Sequence, residues 1–223
     1  MNLYVLRHGT TVWNEKGITQ GRSQNRLSKS GYKLVENVAK DFANSKIDLI
    51  ISSPLMRTIQ TSNIINKYHN VKIIKDEAIT EMDQGIFTAR KYKTLTELEK
   101  KQRHERSKIT KMESFEHGYN RALCFVNKIK NEYKNKDILV VTHNNIASFI
   151  ELIALNKKVD FNNREQMSNF KNAELKHFVI WSVIKVNYFK RFLIILFGKY
   201  CSLFSIIICH FFYYDVECRS IFF

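Results

Sequence analysis

The sequence holds one proline in 223 residues, so Pro-rich linkers between modules are excluded. Its four cysteines, Cys124, Cys201, Cys209 and Cys218, show no C-x-x-C spacing, and three of them fall in the last quarter. That pattern supports neither a disulfide framework nor a zinc site. No cationic stretch followed by an apolar one opens the chain, so a secretory leader is not expected and a cytoplasmic location is. Acidic residues are the scarcer charge: 21 Asp plus Glu stand against 36 Lys plus Arg, a formal net charge of +15. Such a surplus attracts anions, whether phosphate esters, nucleic acid or an anionic membrane surface. No Lys/Arg block dominates, however, and the surplus reads mainly as lysine spread over solvated helix faces. Zinc-finger, RNP-like and helix-turn-helix signatures are all missing, so nucleic acid is not an expected partner.

What is present suits one folded domain. Hydrophobic residues make up 44% and charged residues 26%, an ordinary globular balance. The length allows one sizeable core and a small subdomain. Short apolar runs at 2–6, 48–51, 71–74 and 138–142 read as strands, with a further strand over 174–186. Between them lie helical patterns. Leu34, Val35, Val38, Ala39 and Phe42 share one face after Ser28. Ser53-Pro54 reads as a helix start, with Ser as the cap and Pro in the first turn, for a helix running to about Tyr68. Residues 114–134 and 145–155 suit two more helices. Residues 76–112 are polar and weakly periodic, and read as a loop with a small helical cap. Alternating strands and helices imply an α/β three-layer sandwich: a mostly parallel sheet with helices on both faces.

Ligands of such sheets gather at the C-terminal ends of the strands. Three strand exits carry polar clusters. Arg7-His8-Gly9-Thr10-Thr11, with Asn14, follows the first; Ser52 to Thr61, with Arg57, follows the second; His143-Asn144-Asn145 follows the strand at 138–142. Taken singly, each has a plainer reading as a polar loop, a structural histidine or a solvated charge. Together they bring two arginines and two histidines toward one crevice. That set suits a phosphate, because guanidinium groups offer forked charged donors and a neutral imidazole can attack phosphorus.

Leu6-Arg7-His8-Gly9-Thr10-Thr11 with Asn14 resembles the signature of the histidine phosphatase superfamily, which includes phosphoglycerate mutases and alpha-ribazole phosphatases. Gln20-Gly21-Arg22, Leu27-Ser28 with Gly31, Ser52 to Thr61, Glu81-Met82-Asp83 with Gly85, and Val140-Val141-Thr142-His143 resemble its later blocks, in order, over about residues 1–175. The resemblance implies a phosphoglycerate mutase-like fold and a metal-independent, cofactor-free chemistry on a small phosphorylated metabolite. It makes His8 the nucleophile that becomes phosphohistidine and Glu81 the acid and base. Arg7, Arg57 and His143 become the groups around the phosphoryl oxygens. Asn14, Gln20 and Gly21 join them in substrate binding, and Arg22 and residues 83–93 lie toward the leaving group.

Glu81 and His143 are 62 positions apart, with no long insertion between them. This favours hydrolysis over mutase-type phosphoryl transfer; a non-catalytic phosphate-binding member is a further alternative. The chain departs from the family pattern at Gln24, where aspartate is common, and at Ala89 and Asn144, where glycine is common. Those departures bear on loop geometry. The phosphatase domain is expected over 1–186, followed by an apolar tail at 187–223. Residues 192–214 have the length of a membrane span, interrupted by Lys199 and His210. An anchor, a segment packed on the domain, and a non-native or frame-shifted tail are the three readings. Nothing in the pattern signals an oligomeric state.

Overall fold

The computed structural model describes residues 1–106, 108–161 and 166–180. Five strands form one sheet: β1 (Asn2–Arg7), β2 (Leu49–Ser52), β3 (Lys72–Lys75), β4 (Ile138–Thr142) and β5 (Leu175–Val179). Their order is β3-β2-β4-β1-β5. All neighbours are parallel except β5, which runs antiparallel to β1 at the edge. The expected mostly parallel α/β sheet is therefore observed.

Central β4 is buried along its whole length because both faces are covered. On one face Leu3, Val5, Ile51 and Val140 pack against α5 (Phe115–Glu132) and α6 (Asn144–Ala154). On the other, Leu6, Ile50, Leu139 and Val141 meet α2 (Lys29–Phe42) and α3 (Met56–Asn66). Side-chain alternation along each strand sends successive residues to the two layers. Each fully buried Val, Ile, Leu or Phe contributes about 1.5–3 kcal/mol of transfer free energy.

The remaining helices are short. A one-turn α1 (Val12–Glu15) is closed by a reciprocal Thr11–Asn14 capping box, and α4 (Glu97–Glu105) by one between Thr96 and Glu99. Apart from α4, the described residues between 76 and 112 hold only 3₁₀ turns and loops, as the polar sequence suggested.

Two boundaries differ from expectation. The helix placed at Ser53-Pro54 begins at Met56, and Leu55 occupies the cap position without a side-chain bond. Ser53 Oγ bonds to His143 instead, while Met56 N–H donates to Gln24 Oε1 at 2.9 Å. The last strand ends at Val179; beyond Ile180 the expectation, like the tail at 187–223 and its proposed span at 192–214, lies outside the described residues. Among the described residues no helix is long and apolar enough to cross a membrane.

Candidate active site

Strand register builds the site. Arg7 pairs with Thr142 across β1 and β4, and Ser52 pairs with Val141 across β2 and β4. His8, Ser53 and His143 thus leave three adjacent strands at the same end. Two further backbone bonds, His8 N–H to Thr142 O (3.0 Å) and Ser53 N–H to Val141 O (3.0 Å), carry the ladder to the exits.

His8 is 3% exposed. Its Nδ1 lies 2.7 Å from the Gly9 carbonyl. A carbonyl can only accept, so Nδ1 carries the proton and Nε2 keeps its lone pair. Burial, then the positive charges of Arg57 and Arg7, hold its pKa well below the usual 6.5, so the ring is a neutral base. The His143 ring sits 5.2 Å away, centroid to centroid, tilted by 61°. Arg57 Nε donates to His143 Nδ1 at 3.2 Å, so His143 Nε2 bears the proton and donates to Ser53 Oγ at 2.8 Å. Burial, with Arg57 beside it, pushes this histidine's pKa well down too.

Arg57 is 1% exposed. Besides His143 it donates to the carbonyls of Ser23 and Gly21, both at 2.8 Å. Burial lowers its pKa to about 10, with Glu81 opposing and Arg7 adding to the fall, and it stays cationic at neutral pH. Arg7 is also lowered by burial, against Glu81 and Glu174. Its Nη1 donates to the Phe170 carbonyl, and its buried Nε has no partner. Neither guanidinium has a carboxylate within ion-pair distance among the described residues. A spare buried donor beside two guanidinium groups that face no carboxylate suits an anion.

Glu81 is 9% exposed, and its charge acts on both Arg7 and Arg57. Its Oε1 accepts from Met82 N–H (2.8 Å) and Asn145 Nδ2 (3.2 Å). Among the described residues no group of three His, Cys, Asp or Glu is arranged to hold a metal ion.

Residues 3–181 match the model of the histidine phosphatase superfamily, branch 1. The chain belongs to that superfamily. Membership together with relatives named phosphoserine phosphatase supports a phosphatase, on a phosphoglycerate mutase-like fold. Phosphoserine phosphatase 1 of Hydrogenobacter thermophilus is 28% identical over 149 residues, 64% of this chain and 71% of that one. A probable phosphoglycerate mutase, GpmB of Proteus mirabilis, is 36% identical over 95 residues, 43% of this chain and 44% of its own. Among solved structures, Bacillus stearothermophilus YhfR superposes with a TM-score of 0.70 at 19% identity, covering 79% of this chain and 89% of that chain. Phosphoserine phosphatase of Entamoeba histolytica, solved with 3-phosphoglyceric acid, does so at 0.67 and 21%, covering 80% and 90%. At those identities the two structures speak for the fold alone.

Within the family site, the sequence-derived binding residues divide into two groups. Asn14 Oδ1 is taken up by Thr11 N–H and Oγ–H (3.1 and 2.9 Å), which leaves its NH₂ as the donor for a ligand. Gln20 Oε1 lies 3.0 Å from the same Thr11 hydroxyl, whose single proton it shares with Asn14. Gly21, at φ +50°, offers its carbonyl to Arg57. Gly21 thus holds the Arg57 guanidinium, while Gln20 backs Thr11, the partner of Asn14.

Several participants went unnoticed in the sequence: the Gly9 carbonyl, Ser53 as the partner of His143, and Asn172, whose Nδ2 donates to the His8 carbonyl at 3.2 Å. Glu113 is another. Arg121 grips it twice (2.7 and 3.0 Å), and His117 Nδ1 (2.6 Å), Arg22 Nη2 (3.2 Å) and Asp83 N–H (3.1 Å) complete the set. Burial alone would raise its pKa, but Arg121, His117 and the Asp83 amide hold it at about 2. The spacing Glu113, His117, Arg121 around the first turns of α5 was the available signal. Through Arg22, which also donates to the Glu81 carbonyl at 3.2 Å, this cluster braces the acidic residue.

Proposed function

We propose that this chain hydrolyses phosphomonoesters of small metabolites through a phosphohistidine on His8, without a metal ion. One observation carries the reading: a neutral His8, its Nδ1 proton committed to the Gly9 carbonyl and its Nε2 lone pair free, beside two guanidinium groups that have no carboxylate partner among the described residues. Nε2 attacks phosphorus while Arg7, Arg57 and the amide of Asn14 take the phosphoryl charge, a role magnesium fills in other phosphoryl-transfer enzymes. Glu81 gives a proton to the leaving oxygen, then takes one from the water that attacks the phosphoenzyme. Hydrolysis regenerates the neutral imidazole and releases phosphate. The relatives named as phosphatases support this outcome.

The GpmB likeness favours a second reading, mutase-type transfer. Supplying 3-phosphoglycerate separates the two: phosphate release supports the hydrolase, and isomerisation without release overturns it. The main test is a panel of phosphomonoesters assayed with EDTA, with rapid quenching to trap phosphohistidine. Turnover insensitive to EDTA and a His8-borne phosphate are expected. A His8→Ala variant that keeps full turnover refutes the assignment.

A further inference from the structure

The carboxyl group of Glu81 is held asymmetrically. Both donors that reach it, the Met82 amide and the Asn145 side chain, converge on Oε1 (2.8 and 3.2 Å). Among the described residues no hydrogen bond reaches Oε2. The backbone behind is clamped, since Arg22 Nε donates to the Glu81 carbonyl. A protonated carboxyl has one oxygen that only accepts and one that carries the hydrogen. An oxygen faced by two N–H groups keeps the accepting role, because a proton placed on it would displace a donor.

We propose that Asn145 is a positioning residue that reserves Oε2 of Glu81 as the one proton-carrying oxygen, and thereby aims the acid at the leaving group. This rests on the phosphatase reading above. In the first half-reaction the Oε2 proton passes to the ester oxygen as the P–O bond breaks and the Nε2–P bond forms. In the second, Oε2 accepts a proton from water as its oxygen bonds to phosphorus and the N–P bond breaks. Asn145 exchanges no proton in either step. It lies in the first turn of α6, beside the strand exit that supplies His143.

The role has a signature that mere structural support lacks. A poor leaving group needs the proton, whereas a nitrophenolate departs without it. Three variants, Glu81→Gln, Asn145→Leu and Asn145→Asp, are assayed on glycerol phosphate and on 4-nitrophenyl phosphate. Aspartate is isosteric and suits a helix N-terminus, so this variant retains the fold even if leucine does not. Glu81→Gln is expected to slow the alkyl ester about a hundredfold or more relative to the aryl ester. Each Asn145 variant is expected to lower the same alkyl-to-aryl ratio by about five- to tenfold, with KM for the aryl ester little changed. Equal loss on both esters, no loss, or loss in the aspartate variant alone overturns the role of Asn145. If Glu81→Gln shows no selectivity for the alkyl ester, the assignment of Glu81 as the acid fails first, and that outcome is distinct.

Discussion

Two buried neutral histidines make this fold sensitive to mild acid in a way that can be calculated. His8 and His143 both sit well below 6.5 in the folded chain, because burial and Arg57 oppose their protonation. In the unfolded chain each returns to about 6.5. Below that value the unfolded state binds protons that the folded state refuses. Their contribution to stability is therefore complete above pH 6.5 and drains as pH falls through it. Going from about pH 7.5 to about pH 5.5 costs on the order of 1 kcal/mol for each ring and about twice that for the pair. His69, lowered by partial burial, adds a smaller background common to all variants. Carboxylates such as Glu113, held at about 2, lose their contribution only below the usual carboxylate range, outside this window. Urea unfolding across the interval provides the assay. His8→Asn retains a donor for the Gly9 carbonyl, and His143→Gln one for Ser53, yet neither replacement titrates. Each should flatten the pH dependence by on the order of 1 kcal/mol over the interval, whatever its effect on absolute stability. A wild-type curve that is flat from pH 7.5 to 5.5, or variants with the wild-type slope, would refute a neutral, desolvated nucleophile.

Three other perturbations have defined outcomes. Arg57→Met removes the cation facing His143, and kcat/KM for a phosphomonoester should fall about 10²- to 10³-fold; a loss under tenfold would contradict its role. Ala89 sits at φ +67°, a conformation that suits glycine; Ala89→Gly should stabilise the chain by about 0.5–1 kcal/mol in urea titrations, and destabilisation would speak against that strain. In Gly31→Ala the new Cβ would lie 1.9 Å from the Thr10 carbonyl oxygen; a loss of about 1–3 kcal/mol is expected, and an unchanged midpoint would contradict the close approach of α2 to that loop.

Strand exits were legible in the sequence because an apolar run followed by Arg-His, Ser-Ser-Pro or Thr-His marks both a buried strand and its polar end. The adjacent strands β1 and β4, and the long amphipathic helix α5, lie within a few residues of expectation for that reason. One-turn α1 escaped because four residues carry no period. The start of α3 was misplaced by a capping rule that works locally: Ser53 is a good cap, but its hydroxyl is used by His143, which arrives from 90 positions away. The departures from the family pattern explain themselves only in three dimensions. Ala89 does adopt the strained backbone that its glycine counterpart would take freely, whereas Asn144 has ordinary helical backbone as the first residue of α6. Gln24 replaces an aspartate and supplies the missing cap of α3. The clustering of Arg7, His8, Arg57 and His143 was readable by residue type and place. Of the supporting bonds, those from Ser53, Asn172 and Arg22 depend on approaches between distant segments that no local pattern encodes, whereas Gly9 bonds its own chain neighbour.

The loop at 21–24 has a consequence for any attempt to alter substrate preference. Two of its carbonyls fix the Arg57 guanidinium, and its glutamine closes the helix on which Arg57 rides. Grafting a foreign sequence there would retune the leaving-group side and loosen the phosphate grip in one stroke. The α4 helix is tied to its neighbours by contacts such as Arg90 with Glu99 and Arg103 over Tyr92, none of them shared with the histidines. Diversification aimed at α4 would therefore leave the phosphoryl-handling groups seated, and it is the better ground for redesign.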